Sequence, residues 1–123
     1  MNALATRRRA FWFGQRGEMI AAWALRLKGY RIVASRFKTP VGEIDLVARR
    51  HNLLVFVEVK SRRGRGGMDR PISHRQQQRI IRAASAFVQQ NPAFAKHDMR
   101  FDLMIIRPWR FPRHIRGAWR QGS

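Results

Sequence analysis

The sequence predicts an α/β fold, a mixed β-sheet of four or five strands flanked by helices in the order α-β-β-β-α-β. Three observations carry this. Two short arms with period-two alternation meet at His51-Asn52. A wide apolar helical surface precedes them, and a second amphipathic segment follows, leading into another β-rich run. Antiparallel arms need only a tight turn, whereas a strand reached through a helix returns parallel, so the sheet is mixed.

Residues 1–14 form a basic arm in which Arg7, Arg8 and Arg9 precede Phe11, Trp12 and Phe13. Such an arm either grips phosphate and stacks on bases or trails in solvent. From Gln15 to Lys28, Ile20, Ala21, Ala22, Trp23, Leu25 and Leu27 give a helical pattern, with Gly29 as its stop. Glu18 shares a stripe with Ala21, Ala22 and Leu25, which turns it toward the sheet; a first-turn acid favoured by the helix dipole is the plain alternative. Tyr30 to Phe37 reads as a strand, and Lys38 to Gly42 as a turn.

The central hairpin spans residues 43 to 60. His and Asn tolerate the positive φ that a two-residue turn demands. With His51-Asn52 as that turn, Arg50 faces Leu53, Asp45 faces Glu58, and Glu43 faces Lys60. Opposed side chains share a face with Cβ atoms about 4.5 to 5.5 Å apart. Two acids therefore lie side by side, with Lys60 one step beyond Glu58. Ile44, Leu46 and Ala48 occupy the opposite face and should pack against a helix.

Adjacent carboxylates repel, which raises the pKa of one or recruits a cation. Mg2+, or Mn2+ in its place, suits such a pair because it takes one or two carboxylates and fills its other positions with water and substrate phosphate. Lys60 could then orient a water or neutralise charge developing on phosphate. The competing reading is a sheet surface on which Lys60 and arginines merely offset the acids. Composition favours chemistry: three of only seven acids fall in this hairpin, and only four of the 26 basic residues are lysines. Lysine, unlike arginine, can shift its pKa.

Beyond Lys60, Ser61 to Gly67 is a basic glycine-rich loop, read either as a strap over a nucleic-acid backbone or as a solvated loop. Ser73 with Gln76 resembles a capping box, opening a helix that buries Ile80, Ala84, Phe87 and Val88 and stops at Asn91-Pro92. Met99 to Ile106 is the next strand. Past Asp102 there are no acids, and arginines alternate with Trp109, Phe111 and Trp119 in an edge strand or tail that offers a second nucleic-acid surface.

At 123 residues the chain holds a core domain over 15–107, between the arm and a basic aromatic segment at 108–123. It has no cysteine, which removes disulfides and thiolate metal sites and suits a cytoplasmic location. The formal charge of +19 calls for a polyanionic partner. Nucleic acid comes first, ahead of an anionic membrane; no apolar run approaches a membrane span.

Asp45 followed by Glu58-Val59-Lys60 resembles the D...(D/E)-x-K signature of restriction-endonuclease-like nucleases. The longer strings Gly42-Glu43-Ile44-Asp45-Leu46 and Phe56-Val57-Glu58-Val59-Lys60-Ser61-Arg62, with Arg100-Phe101-Asp102 downstream, resemble the UPF0102 (YraN-type) family, related in fold to archaeal Holliday-junction resolvases. The resemblance implies a Mg2+-dependent nuclease acting on DNA, on branched or structured substrates. Asp45, Glu58 and the Val59 carbonyl would bind metal, Glu18 would complete the site, and Lys60 would act on water. Arg36, Arg62, Arg63, Arg65, Arg75 and Arg79 would hold the backbone. Glu43, Gln76, Arg100 and Asp102 are supporting candidates. Asp102 could equally pair with Arg100 for structure alone, and Gln76 stands where the family usually has lysine. Resolvase-like relatives act as dimers, which makes a homodimer an open expectation.

Overall fold

The computed structural model describes residues 16–62 and 72–120. Helix α1 covers 16–27. It ends as its glycine predicts: Gly29 takes φ +91°, while the Tyr30 N–H donates to the Leu25 carbonyl and the Gly29 N–H to the Arg26 carbonyl. These two bonds form a Schellman motif, which satisfies carbonyls the helix leaves free.

Five strands follow: β1 (Arg31–Thr39), β2 (Gly42–Arg50), β3 (Leu53–Ser61), β4 (Asp98–Ile106) and β5 (Arg113–Trp119). They lie in the order β1-β2-β3-β4-β5. Only β3 and β4 pair in parallel. The helix α2 (His74–Gln90) carries the chain between these two strands, as a parallel crossover requires. A short 3-10 turn (Pro92–Phe94) leads into β4. The mixed sheet is therefore flanked by two helices, and the segment expected as edge strand or tail supplies its fifth strand.

Alternation divides the core into two layers. Leu54, Phe56, Phe101, Leu103 and Ile105 pack with Ile80, Ala84 and Phe87 of α2. Val55, Val57, Met104 and Ile106 pack with Ala21, Ala22 and Leu25 of α1. The helices therefore cover opposite faces, and buried apolar area on both explains the near-continuous apolar run of β3.

The hairpin turn lies at His51-Asn52, with His51 at φ +54° and Arg50 paired with Leu53. The β1–β2 turn is held by Thr39, whose hydroxyl donates to the Gly42 carbonyl and accepts from the Val41 and Gly42 N–H groups. Two expectations need correction. Ile44, Leu46 and Ala48 do not share a face: Leu46 and Ala48 join the α1 layer and Ile44 the α2 layer. Trp119 is not a surface ring; it is 6% exposed and stacks on Phe101. Among the described residues, no helix is long and apolar enough to cross a membrane.

Candidate metal and phosphate site

The break in β2 alternation builds the site. Pairing of β2 with β3 runs from Arg50–Leu53 to Leu46–Val57. One step further, Asp45 and Glu58 face each other. On the other side, β1 pairs Ser35 with Leu46 and Phe37 with Ile44, which leaves Arg36 against Asp45. Arg36 takes φ +52°, a conformation that costs a non-glycine residue energy. That reversal carries Phe37 and Ile44 into the α2 layer. The Asp45 carboxylate meanwhile accepts from the Val59 N–H at 2.8 Å. A side-chain oxygen thus takes a backbone donor just where β2 leaves regular pairing.

Glu58 is 8% exposed. Its Oε1 accepts from Gln76 Nε2 at 3.0 Å and lies 3.2 Å from Lys60 Nζ. Burial, then the Asp45 charge, pushes its pKa up to about 7, against the pull of Lys60. Asp45 is raised as well, by burial first, with the Val59 N–H opposing. The two carboxyl groups lie within hydrogen-bonding reach of each other. Such a pair can share one proton or give it up to a cation.

Helix α2 forms the facing wall. Ser73 caps it, its hydroxyl accepting from the Gln76 N–H at 3.2 Å. In a capping box the Gln76 side chain would return to the cap; here it reaches across to Glu58 instead. Close approach is possible because Gly42 has no side chain: a Cβ there would lie 2.1 Å from the Arg79 carbonyl oxygen. Glu43, Glu58, Ser73, Arg75, Gln76 and Arg79 line the resulting cavity of about 270 Å3.

Glu18 sits at the margin. It pairs with Arg36 at 2.9 Å, and its charge raises the Asp45 pKa. Arg36 is raised in turn, chiefly by its hydrogen bond to Glu18. Arg75 and Arg79 are exposed at the cavity. The Arg62 N–H donates to the Ile106 carbonyl, joining the ends of β3 and β4. Arg63, Arg65 and the arm at 1–14 lie outside the described residues.

Arg100 and Asp102 belong to the other face. Asp102 is fully buried and receives a two-pronged contact from Arg100, both at 2.8 Å, with His114 Nε2 at 2.6 Å and the Gly117 N–H at 3.0 Å. Burial would raise its pKa, but these hydrogen bonds outweigh burial and hold it below the usual carboxylate range. Arg100 also donates to the Tyr30 hydroxyl at 2.7 Å. This network ties β4 to β5 and to the end of α1. Sequence reasoning missed His114, whose only signal was an isolated histidine in a basic strand.

The donor set fits Mg2+ of the kind that keeps several waters and takes substrate phosphate: two adjoining carboxylates with a backbone carbonyl at Val59. It does not fit a closed protein cage. Among the described residues, no group of three or more His, Cys, Asp or Glu side chains gathers for one.

Comparison with known proteins places the chain. The family described as "Uncharacterised protein family UPF0102" matches residues 17–106. A UPF0102 protein of Chelativorans sp. (strain BNC1) is 47% identical over 118 residues, covering 96% of this chain and 95% of that protein. One from Nitrobacter winogradskyi is 51% identical over 110 residues, covering 89% and 93%. One from Rhodopseudomonas palustris (strain BisB18) is 52% identical over 110 residues, covering 89% and 82%. The match includes Glu18, the whole hairpin, α2 and β4, and the chain belongs to the UPF0102 family.

Proposed function

We propose that the protein is a divalent-metal-dependent nuclease that hydrolyses DNA phosphodiesters, with branched or otherwise structured DNA as its substrate. The observation that carries this reading is the meeting of the Asp45 and Glu58 carboxyls, with Lys60 on the same acid, inside a molecule of charge +19. A buried acid beside a half-buried one costs free energy in a metal-free protein, and an arginine-lined cavity beside them suits a phosphate.

Asp45, Glu58 and the Val59 carbonyl would hold Mg2+ or Mn2+, which when bound polarises the phosphoryl group and lowers the pKa of a bound water. Lys60 keeps one ammonium beside Glu58, where it orients the attacking water and offsets charge on the phosphate. Gln76 fixes the Glu58 rotamer through its amide. Arg75 and Arg79 supply fixed positive charge for the backbone. Glu18 enters as a ligand only on release from Arg36, directly or through water.

That Glu18–Arg36 pair favours a second reading, a non-catalytic nucleic-acid-binding protein with a nuclease-like fold. Two measurements separate them. Purified protein is incubated with junction, flap and single-stranded DNA in Mg2+ or Mn2+; cleavage no greater than that of Asp45→Ala ends the enzyme reading. Calorimetric titration with Mn2+ gives heat that disappears in Glu58→Ala for the nuclease, and none for the binding module.

A further inference from the structure

A second concave surface opens where β4 ends. Arg107, Pro108, Trp109, Arg110 and Phe111, with Ile106, face Arg16, Gly17 and Ile20 of α1 across a groove of about 550 Å3. That volume lies within the roughly 300 to 1,000 Å3 of small-ligand pockets. Trp109 and Phe111 are almost completely exposed, at 102% and 96%. Trp109 also takes φ +62°, a left-handed conformation rare for a bulky side chain. Single exposed apolar residues are ordinary; two aromatic rings and Ile20 set among three arginines form a patch with a purpose.

The groove adjoins the candidate site. Gly17 packs so closely on β3 that a Cβ would lie 2.3 Å from Ser61 Oγ, and Ser61 follows Lys60 in the chain. The Arg62 N–H bonds to the Ile106 carbonyl, so the groove and the Lys60 end of β3 lie at the same end of the strands. An occupant must offer flat apolar faces to the rings and negative charge to Arg16, Arg107 and Arg110. A second copy of this chain, itself at +19, meets the second demand poorly. A nucleotide meets both. In a duplex the base faces are already stacked on one another, so only unpaired bases can use the rings.

We infer that this groove stacks the bases of an unpaired strand, so that the nucleic acid bound at the Asp45–Glu58 site carries single-stranded nucleotides beside the attacked phosphate. The inference rests on the proposed nuclease for the role of that phosphate, while stacking itself needs no metal. It narrows the structured substrate to one with a frayed end, flap or open junction, since a continuous duplex leaves the rings empty.

The test uses the full chain in EDTA, with labelled oligothymidylate and a blunt duplex of matched length, read by fluorescence anisotropy. Trp109→Ala with Phe111→Ala should weaken single-strand binding about tenfold per ring and leave duplex binding within about twofold. Trp109→Phe with Phe111 intact, which keeps both rings, should retain most of the single-strand affinity. Both side chains are exposed, so unchanged melting of the variants separates binding from folding. Unchanged single-strand affinity, or equal loss on both DNAs, overturns the inference. So does loss of anionic-vesicle binding or of a dimer while oligothymidylate binding stays intact, since the groove would then hold lipid or a second copy. Asp45→Ala in EDTA should keep the ring-dependent preference. For the unaltered chain moved to Mg2+, no cleavage with that preference intact sinks the nuclease alone, and cleavage without it sinks the groove alone.

Discussion

Glu58 is held in its buried position by Gln76 and Lys60, which makes its proton a handle on folding. Its carboxyl rises from 4.5 to about 7 on folding, so between those values the folded state binds more protons than the unfolded one. The corresponding stability is fully present below the lower value and is lost as pH rises through the upper one. The metal-free protein should therefore melt at progressively lower temperature from about pH 5 to pH 8, with Asp45 acting in the same direction. Asp102, lowered instead, acts below this window. Thermal melts of Glu58→Gln in EDTA should show a flatter pH profile, because the amide keeps the shape and removes the titration. A slope as steep as the wild type would mean that some other group carries it. Asp102 is the contrasting acid: its removal leaves the Arg100 guanidinium and His114 without the carboxylate they share. Asp102→Ala should cost about 3 to 5 kcal/mol, measured by chemical denaturation. Mn2+ affinity per folded molecule should hardly change, since Asp102 points to the α1 face and Glu58 to the α2 face.

Between elements, two glycines set how near each helix approaches the sheet, and they differ in what they touch. A methyl at Gly42 meets the Arg79 backbone, which can move only with α2; one at Gly17 meets the Ser61 hydroxyl, which can rotate away. Gly42→Ala should destabilise by about 1 to 3 kcal/mol and loosen the Gln76–Glu58 bond, whereas Gly17→Ala should cost less. Equal denaturation midpoints for the two variants would contradict this ordering. The same elements show what was legible in the sequence. The β2–β3 register followed from turn chemistry, because His51 accepts the positive φ that a two-residue turn demands. The meeting of Asp45 and Glu58 followed from that register. The kink at Arg36 did not, because nothing in its residue type announces left-handed backbone, and with it went the face of Ile44. The split of the capping box was equally hidden: Gln76 satisfied the pattern while its side chain had a better partner on another element. Over 107–120, alternating arginines and aromatics gave no sign of which ring turns inward, and the Asp102–His114 contact awaited the position of β5.

At the scale of the whole molecule, charge and site geometry make separable demands. A chain carrying 26 basic residues against seven acids would bind any polyanion through released counterions, so affinity alone would not identify a nuclease. The location of the phosphates can. For a duplex footprint of about six to ten phosphates, the association constant should fall about 10^3- to 10^5-fold between roughly 50 and 200 mM salt. Arg75 and Arg79 line the cavity beside Glu58, so their replacement together should remove about two ion-release steps from the logarithmic salt slope. Alanine at Arg31 and Arg49, an exposed pair of arginines on β1 and β2 toward the opposite end of the strands from Asp45, provides the control. Filter-binding isotherms across a salt series give both slopes. If the α2 pair contacts the backbone at the carboxylate site, its slope drops and cleavage falls with it at fixed DNA occupancy. If both pairs lower the slope equally and occupancy alone explains the lost cleavage, the positive charge is a diffuse coat, and the cavity beside Glu58 does not seat the phosphate.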